Sequence, residues 1–161
     1  MREINIAMIG EGFMGRTHSN AWSQVRKFFK PTVEPVMHTS FSRNAESSRA
    51  FADLWGWKNS STDWRATVTA PEIDLVDVVT PNNMHAEICL AALAAGKHIA
   101  CEKPLAGNLA EARKMVDAAR ASKARTFVWY NYRRGPAVAF AHRLVKQGAL
   151  GEIRHVRGVY L

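Results

Sequence analysis

Short apolar strands alternate with amphipathic helices along nearly the whole chain, and no other feature constrains the fold so tightly. Residues 4–9 read as a strand. Met14, His18, Ala21, Trp22, Val25, Phe28 and Phe29 then recur at helical spacing until Pro31 stops the run. Residues 33–41 form the next strand and Ala45–Trp55, closed by Gly56, the next helix. A helical turn over Trp64–Thr69 precedes a strand over residues 73–80, whose following helix runs to Ala95 with Gly96 as its stop. Strands over residues 97–101 and 126–130 complete the series. Between them Asn108 and Glu111 resemble a capping box, opening a helix that buries Ala112, Met115, Val116 and Ala119. Pro136 sits where a first helical turn tolerates it, and that helix ends at Gly148. Repeated β-α-β units of this kind predict an α/β fold, a doubly wound parallel sheet with helices on both faces.

Composition narrows the partners. At 161 residues, 47% hydrophobic and 22% charged, the chain is of a size and balance to bury one real core. The net charge of +8 is spread over residues such as Arg26, Lys27, Arg43, Lys103, Arg133, Arg134, Arg143 and Arg157, with no basic run. That pattern favours a small anionic ligand over nucleic acid. Cys89 and Cys101 form no C-x-x-C pair and read as buried free thiols of a reducing compartment. His85, Cys89, His98 and Cys101 match no recognised ligand spacing, so no metal site is expected. The N-terminus carries no apolar secretory core and no stretch is apolar enough to span a bilayer, which gives a cytoplasmic expectation with no membrane partner.

The segment GEGFMG, Gly10 to Gly15, fits G-x-G-x-x-G between a predicted strand and a predicted helix, the context in which that pattern binds a dinucleotide. Gly10 permits a tight turn, Gly12 lets a pyrophosphate approach, and Gly15 lets the helix pack on the strand. The backbone of Phe13 and Met14 completes the cradle at the positive end of the helix dipole. At the tip of the second strand, Ser42-Arg43-Asn44 offers no acid to a ribose 2′-hydroxyl, whereas Arg43 suits a 2′-phosphate. NADP is therefore the preferred cofactor, with NAD as the other choice.

Two further stretches fall at strand ends, where open parallel sheets bind ligands. In TPNNMHAE, residues 80–87, Asn82, Asn83 and His85 can bond ribose or nicotinamide, although Asn82 fits a helix cap equally well. In CEKPL, residues 101–105, Glu102 and Lys103 project into the same crevice and Pro104 stiffens the turn. A lysine so placed can share the proton of a substrate hydroxyl.

Taken in order, GEGFMG, TPNNMHAE, AALAAGKHIACEKPLA, NYRRGPA and GALGEI resemble the glucose-fructose oxidoreductase, inositol dehydrogenase and MocA family of NAD(P)-dependent oxidoreductases, across essentially the whole chain. The resemblance implies hydride transfer between nicotinamide and a hydroxyl or keto carbon of a sugar, cyclitol or similar small molecule. It implies Lys103 as the catalytic lysine, Glu102 as a cofactor contact, and a cis Lys103–Pro104 bond. It also places Thr80, Pro81, Asn82 and His85 at the nicotinamide half, and Tyr130, Asn131 and Arg133 beside the pocket.

Residues 152–161, EIRHVRGVYL, read as a strand without a partner, an exposed liability. They are expected to be the first strand of a missing second domain. On that reading residues 1–125 are the Rossmann domain, and residues 126–161 hold its last strand and helix plus the start of a truncated α/β domain. The chain is then expected to bind cofactor yet turn over little substrate alone, and the full-length form to be a homo-oligomer. A non-catalytic dinucleotide-sensing regulator on the same fold is the alternative.

Overall fold

The computed structural model describes residues 1–159. They divide into a first unit, Met1–Trp129, and a second that begins at Tyr130, so the sixth strand stays with the sheet. In the first unit the elements are β1 (Glu3–Ile9), α1 (Phe13–Phe28), β2 (Glu34–Phe41), α2 (Ala45–Trp55), β3 (Asn59–Ser61), α3 (Trp64–Thr69), β4 (Leu75–Val78), a 3-10 turn (Asn82–Met84), α4 (His85–Ala94), β5 (His98–Cys101), α5 (Leu109–Ala121) and β6 (Thr126–Val128). Six strands make one sheet in the order β3-β2-β1-β4-β5-β6, and every pairing is parallel. The doubly wound α/β expectation holds.

The central strands read as nearly continuous apolar runs because both of their faces are covered. On β1, Ile6 and Met8 enter one cluster with Ala52, Trp57 and Val79, while Ala7 and Ile9 enter the other. That second cluster gathers Val76 and Val78 of β4, Ile88, Ala92 and Leu93 of α4, and Met115 of α5. Each fully buried Ile or Val of this kind is worth about 1.5–3 kcal/mol relative to exposure.

Chain punctuation behaves as its chemistry requires. Asn44, Asp63 and Asn108 side chains accept the backbone N–H of Ser47, Ala66 and Glu111, capping α2, α3 and α5. Gly56 and Gly96 end helices at φ +80° and +74°, where a side chain is disfavoured. Three expectations are corrected. The asparagine at position 82 does not cap: it opens the 3-10 turn, and α4 starts without a side-chain cap. The edge strand β3 was not anticipated, since its sequence Asn-Ser-Ser carries no apolar period and it forms only because β2 presents free ladder groups. Residues 152–159 form no strand, for no second strand lies beside them to take their N–H and C=O groups; Tyr160 and Leu161 lie outside the described residues.

The second unit holds a 3-10 turn, Asn131–Arg134, and α6, Pro136–Lys146, with Pro136 in its first turn and Gly148 beyond its end at φ +69°.

Candidate functional site

Register brings the candidate loops to one edge. Phe41, Ile9, Val78, Cys101 and Val128 stand in a single row across the sheet. The residues that follow remain tied to it: Gly10 N–H donates to Phe41 O (3.1 Å), Val79 to Ile9 O (3.0 Å), Glu102 to Val78 O (2.9 Å) and Trp129 to Cys101 O (2.9 Å). All the turns therefore leave from the carboxyl edge, on either side of the switch between β1 and β4, where open α/β sheets hold ligands.

The three glycines differ in the space around them. Gly10 has φ +120°, and a Cβ there would lie 2.9 Å from Val79 O; at Gly15 it would collide with the Gly10 carbonyl. At Gly12 a Cβ would meet no protein atom within 4 Å, so the backbone is open to an approaching group. No side chain caps α1, in contrast to α2, α3 and α5, and its first turn holds no acid, in contrast to α2 and α5. Uncapped N–H groups, a dipole and open space together fit the pyrophosphate of a dinucleotide. Phe13 is exposed, while the Met14 side chain packs on the core, leaving its N–H as the part available to a ligand.

At the tip of β2, Ser42 N–H donates to Ser61 O and its hydroxyl to Asn44 O, with Arg43 exposed beside them. Glu11, a residue that sequence reasoning passed over, reaches across and accepts from Ser48 Oγ of α2 at 2.9 Å.

The loops after β4 and β5 are joined from within. Pro81, Asn82 and Lys103 are exposed, and the Thr80 hydroxyl is buried with no partner in the described residues. His85 is 1% exposed, and its ring spans two carbonyl oxygens, Pro104 O at Nδ1 and Thr80 O at Nε2, each 2.9 Å away. Burial pushes this ring down, but bonding to and charge on Cys101, with the two carbonyls, raise it to about 9. The Lys103–Pro104 bond is cis. His85 and Glu102 were both expected to touch cofactor; their side chains face inward, with their polar atoms engaged by protein.

Glu102 belongs to a buried constellation that sequence reasoning missed. Asp77, 0% exposed in the middle of β4, accepts from Trp22 Nε1 (2.8 Å) and Trp129 Nε1 (3.0 Å), and lies 2.9 Å from His18 Nδ1. His18 Nε2 lies 3.1 Å from Glu102 Oε1, and Glu102 Oε2 accepts the Lys103 N–H at 2.9 Å. Burial pushes His18 down, but the hydrogen bonds and charges of Asp77 and then Glu102 outweigh it and leave the ring above its usual 6.5. The signal was present in Val76-Asp77-Val78, since a carboxylate inside an apolar strand is almost never buried unpaired.

Asn131, the remaining predicted contact, is exposed in the 3-10 turn of the second unit. Among the described residues no three His, Cys, Asp or Glu side chains converge on a metal position, and no helix is long and apolar enough to cross a membrane.

Comparison with known proteins agrees with this architecture. The chain is 44% identical over its whole length to levoglucosan dehydrogenase of Pseudarthrobacter phenanthrenivorans, and 32% identical over 90% of its length to D-apiose dehydrogenase of Paraburkholderia graminis. It spans only 42% and 37% of those two relatives. Among solved structures, levoglucosan dehydrogenase in complex with NADH and levoglucosan superposes with a TM-score of 0.90 at 43% identity, over 94% of this chain and 41% of that one. An oxidoreductase domain protein from Kribbella flavida gives 0.91 at 45% identity, over 96% and 42%. A family model described as an oxidoreductase family with NAD-binding Rossmann fold matches residues 4–130, and the chain belongs to that Gfo/Idh/MocA family.

Proposed function

We propose that these residues are the cofactor-binding part of an NAD(P)-dependent oxidoreductase acting on a hydroxyl or keto carbon of a sugar, cyclitol or similar small molecule. The observation that carries the reading is the uncapped start of α1 with open space over Gly12, on the same sheet edge as the exposed Lys103. The N–H groups after Gly12 hold the pyrophosphate, with Gly10, Phe13, Met14 and Gly15 shaping the cradle. Ser42 and Arg43 meet the adenosine ribose. Thr80, Pro81 and Asn82 line the nicotinamide half. Bound nicotinamide supplies the acceptor or donor of hydride. Lys103 as the free amine takes the hydroxyl proton while the carbon is oxidised; as the ammonium it returns that proton in reduction and favours the negative charge developing on that oxygen.

Arg43 favours NADPH, because a guanidinium pairs with a 2′-phosphate. The 43%-identical relative is in complex with NADH, so the two cofactors must be compared directly. We assign turnover of substrate, and homo-oligomerisation, to a protein of the relatives' length, of which this chain spans 42% in the first relative.

Titration of the purified chain with NADH and with NADPH tests the reading. Saturable binding of either supports it, and binding of neither sinks it. NADPH should bind about ten- to a hundred-fold more tightly than NADH, an advantage removed by Arg43→Ala; equal affinities would overturn the preference while leaving the oxidoreductase reading in place.

A further inference from the structure

Lys103 is flanked by two residues that are each held by a buried histidine. On one side His18 Nε2 lies against Glu102 Oε1, and the other oxygen of that carboxylate accepts the Lys103 N–H. On the other side His85 Nδ1 lies against the Pro104 carbonyl. The far nitrogen of each ring reaches back to β4 or the loop that leaves it, His18 to Asp77 Oδ2 and His85 to Thr80 O.

Each of these four contacts needs one proton between the ring nitrogen and the oxygen. A backbone carbonyl only accepts. Asp77 already accepts two indole N–H groups besides facing His18, and Glu102 accepts the Lys103 N–H as well as facing His18. A carboxyl could hold the proton at either His18 contact, but an imidazole is the stronger base by about 2 pKa units, which puts the proton on the ring. A neutral imidazole has one N–H and one lone pair, so each ring, if neutral, would set a lone pair against an oxygen about 3 Å away with little water to intervene. A charged ring donates twice. His98 shows the contrast, since its Nδ1 accepts the Arg125 N–H at 3.0 Å.

We propose that His18 and His85 are positioning residues, each held as an imidazolium, that together fix the backbone from Glu102 to Pro104 and so aim Lys103. The functional consequence rests on the reading of Lys103 as the proton-sharing group; the charge states do not. The groups facing His18 are Asp77 from β4, Glu102 just after β5, and the indole of Trp129, while the Trp22 indole bonds to Asp77. Those facing His85 are Cys101 of β5 and the two carbonyls, with the free thiol of Cys89 of α4 beyond Cys101. The neighbouring Cys89 thiol and, against the effect of burial, His85 hold the Cys101 thiol below its usual range. His85, raised to about 9, keeps its charge at neutral pH and loses it near pH 9, and His18 is raised from 6.5 as well. Positioning of Lys103 then fails on the alkaline side.

The test is nitrogen-15 NMR of the histidine rings in the full 161-residue chain, without cofactor or substrate. At pH 7 both nitrogens of His18 and both of His85 should carry protons; one bare nitrogen in either ring overturns the proposal. Hydrogen exchange separates positioning from general stabilisation. In His18→Gln and in His85→Gln the Lys103 amide should exchange about tenfold faster or more, while the Ile99 amide, bonded to Arg125 O within the sheet, keeps its rate. Equal acceleration of both amides would reduce the histidines to general stabilisers and overturn the positioning role. If a variant does not fold, the ring spectra of the unaltered chain still decide. Failure to bind either cofactor leaves both readouts intact, so the two readings fall separately.

Discussion

Trp129 Nε1 donates to Asp77 Oδ1 across 3.0 Å, fastening the residue that follows the last strand to a carboxylate at the centre of the sheet. With Trp22 and His18 also on it, Asp77 faces three donors on two oxygens. A buried ion of this kind is costly to leave unpaired and costly to remove alone.

Asp77→Ala should therefore lower stability by roughly 3–5 kcal/mol, because a charged ring and two indole N–H groups lose their acceptor together. Asp77→Asn, which keeps one acceptor oxygen, should cost less. Urea unfolding curves read both; a loss under about 1 kcal/mol for the alanine variant would show that water replaces the carboxylate.

The charge on His18 makes stability depend on pH. Its folded value is raised, so its contribution is complete below 6.5 and is lost as pH climbs through the raised value. The gap in unfolding free energy between the unaltered chain and His18→Gln should be widest below pH 6.5 and narrow toward alkaline pH. Thermal or urea unfolding of both chains across that range measures it; a gap that widens toward alkaline pH would mean that the fold holds the ring neutral, and a constant gap that the fold does not shift it.

Gly12 and Gly15 should part company on substitution. Gly12 has φ −70° and open space, so Gly12→Ala should change folding stability by less than about 1 kcal/mol while weakening cofactor binding, since the methyl fills the cradle. Gly15→Ala drives a methyl into the Gly10 carbonyl and should destabilise the chain itself, by about 1–3 kcal/mol. Melting temperature and NADH titration, run on the same samples, separate the two effects.

Lys103→Ala, in an enzyme of the relatives' length, should lower turnover by roughly 10²- to 10⁴-fold with little change in cofactor affinity. Steady-state kinetics and a binding titration decide between this outcome and a dinucleotide sensor, for which the substitution would change no chemistry.

Much of the molecule is legible in the letters. The bounds of α2 and α3, the glycine stops and the Asn108 cap follow from rules that act within a few residues, and they hold. What lay beyond reach has a common cause. Strand β3 exists because a neighbour distant in sequence offers it a ladder, and residues 152–159 form no strand because none does. Asn82 satisfies every local rule for a cap, yet the chain makes a 3-10 turn there first.

By itself the sequence determined the alternation of elements, the parallel sheet it implies, the glycine turn and the exposed lysine at a strand end, all consequences of local geometry and apolar period. Only the tertiary structure decided where His18, His85, Asp77 and Glu102 point. His18 and Glu102 stand 84 residues apart and meet because register aligns the strand ends on one edge while α1 crosses the sheet. A buried polar side chain turns toward whichever partner satisfies it, and that partner is fixed by packing across the sheet.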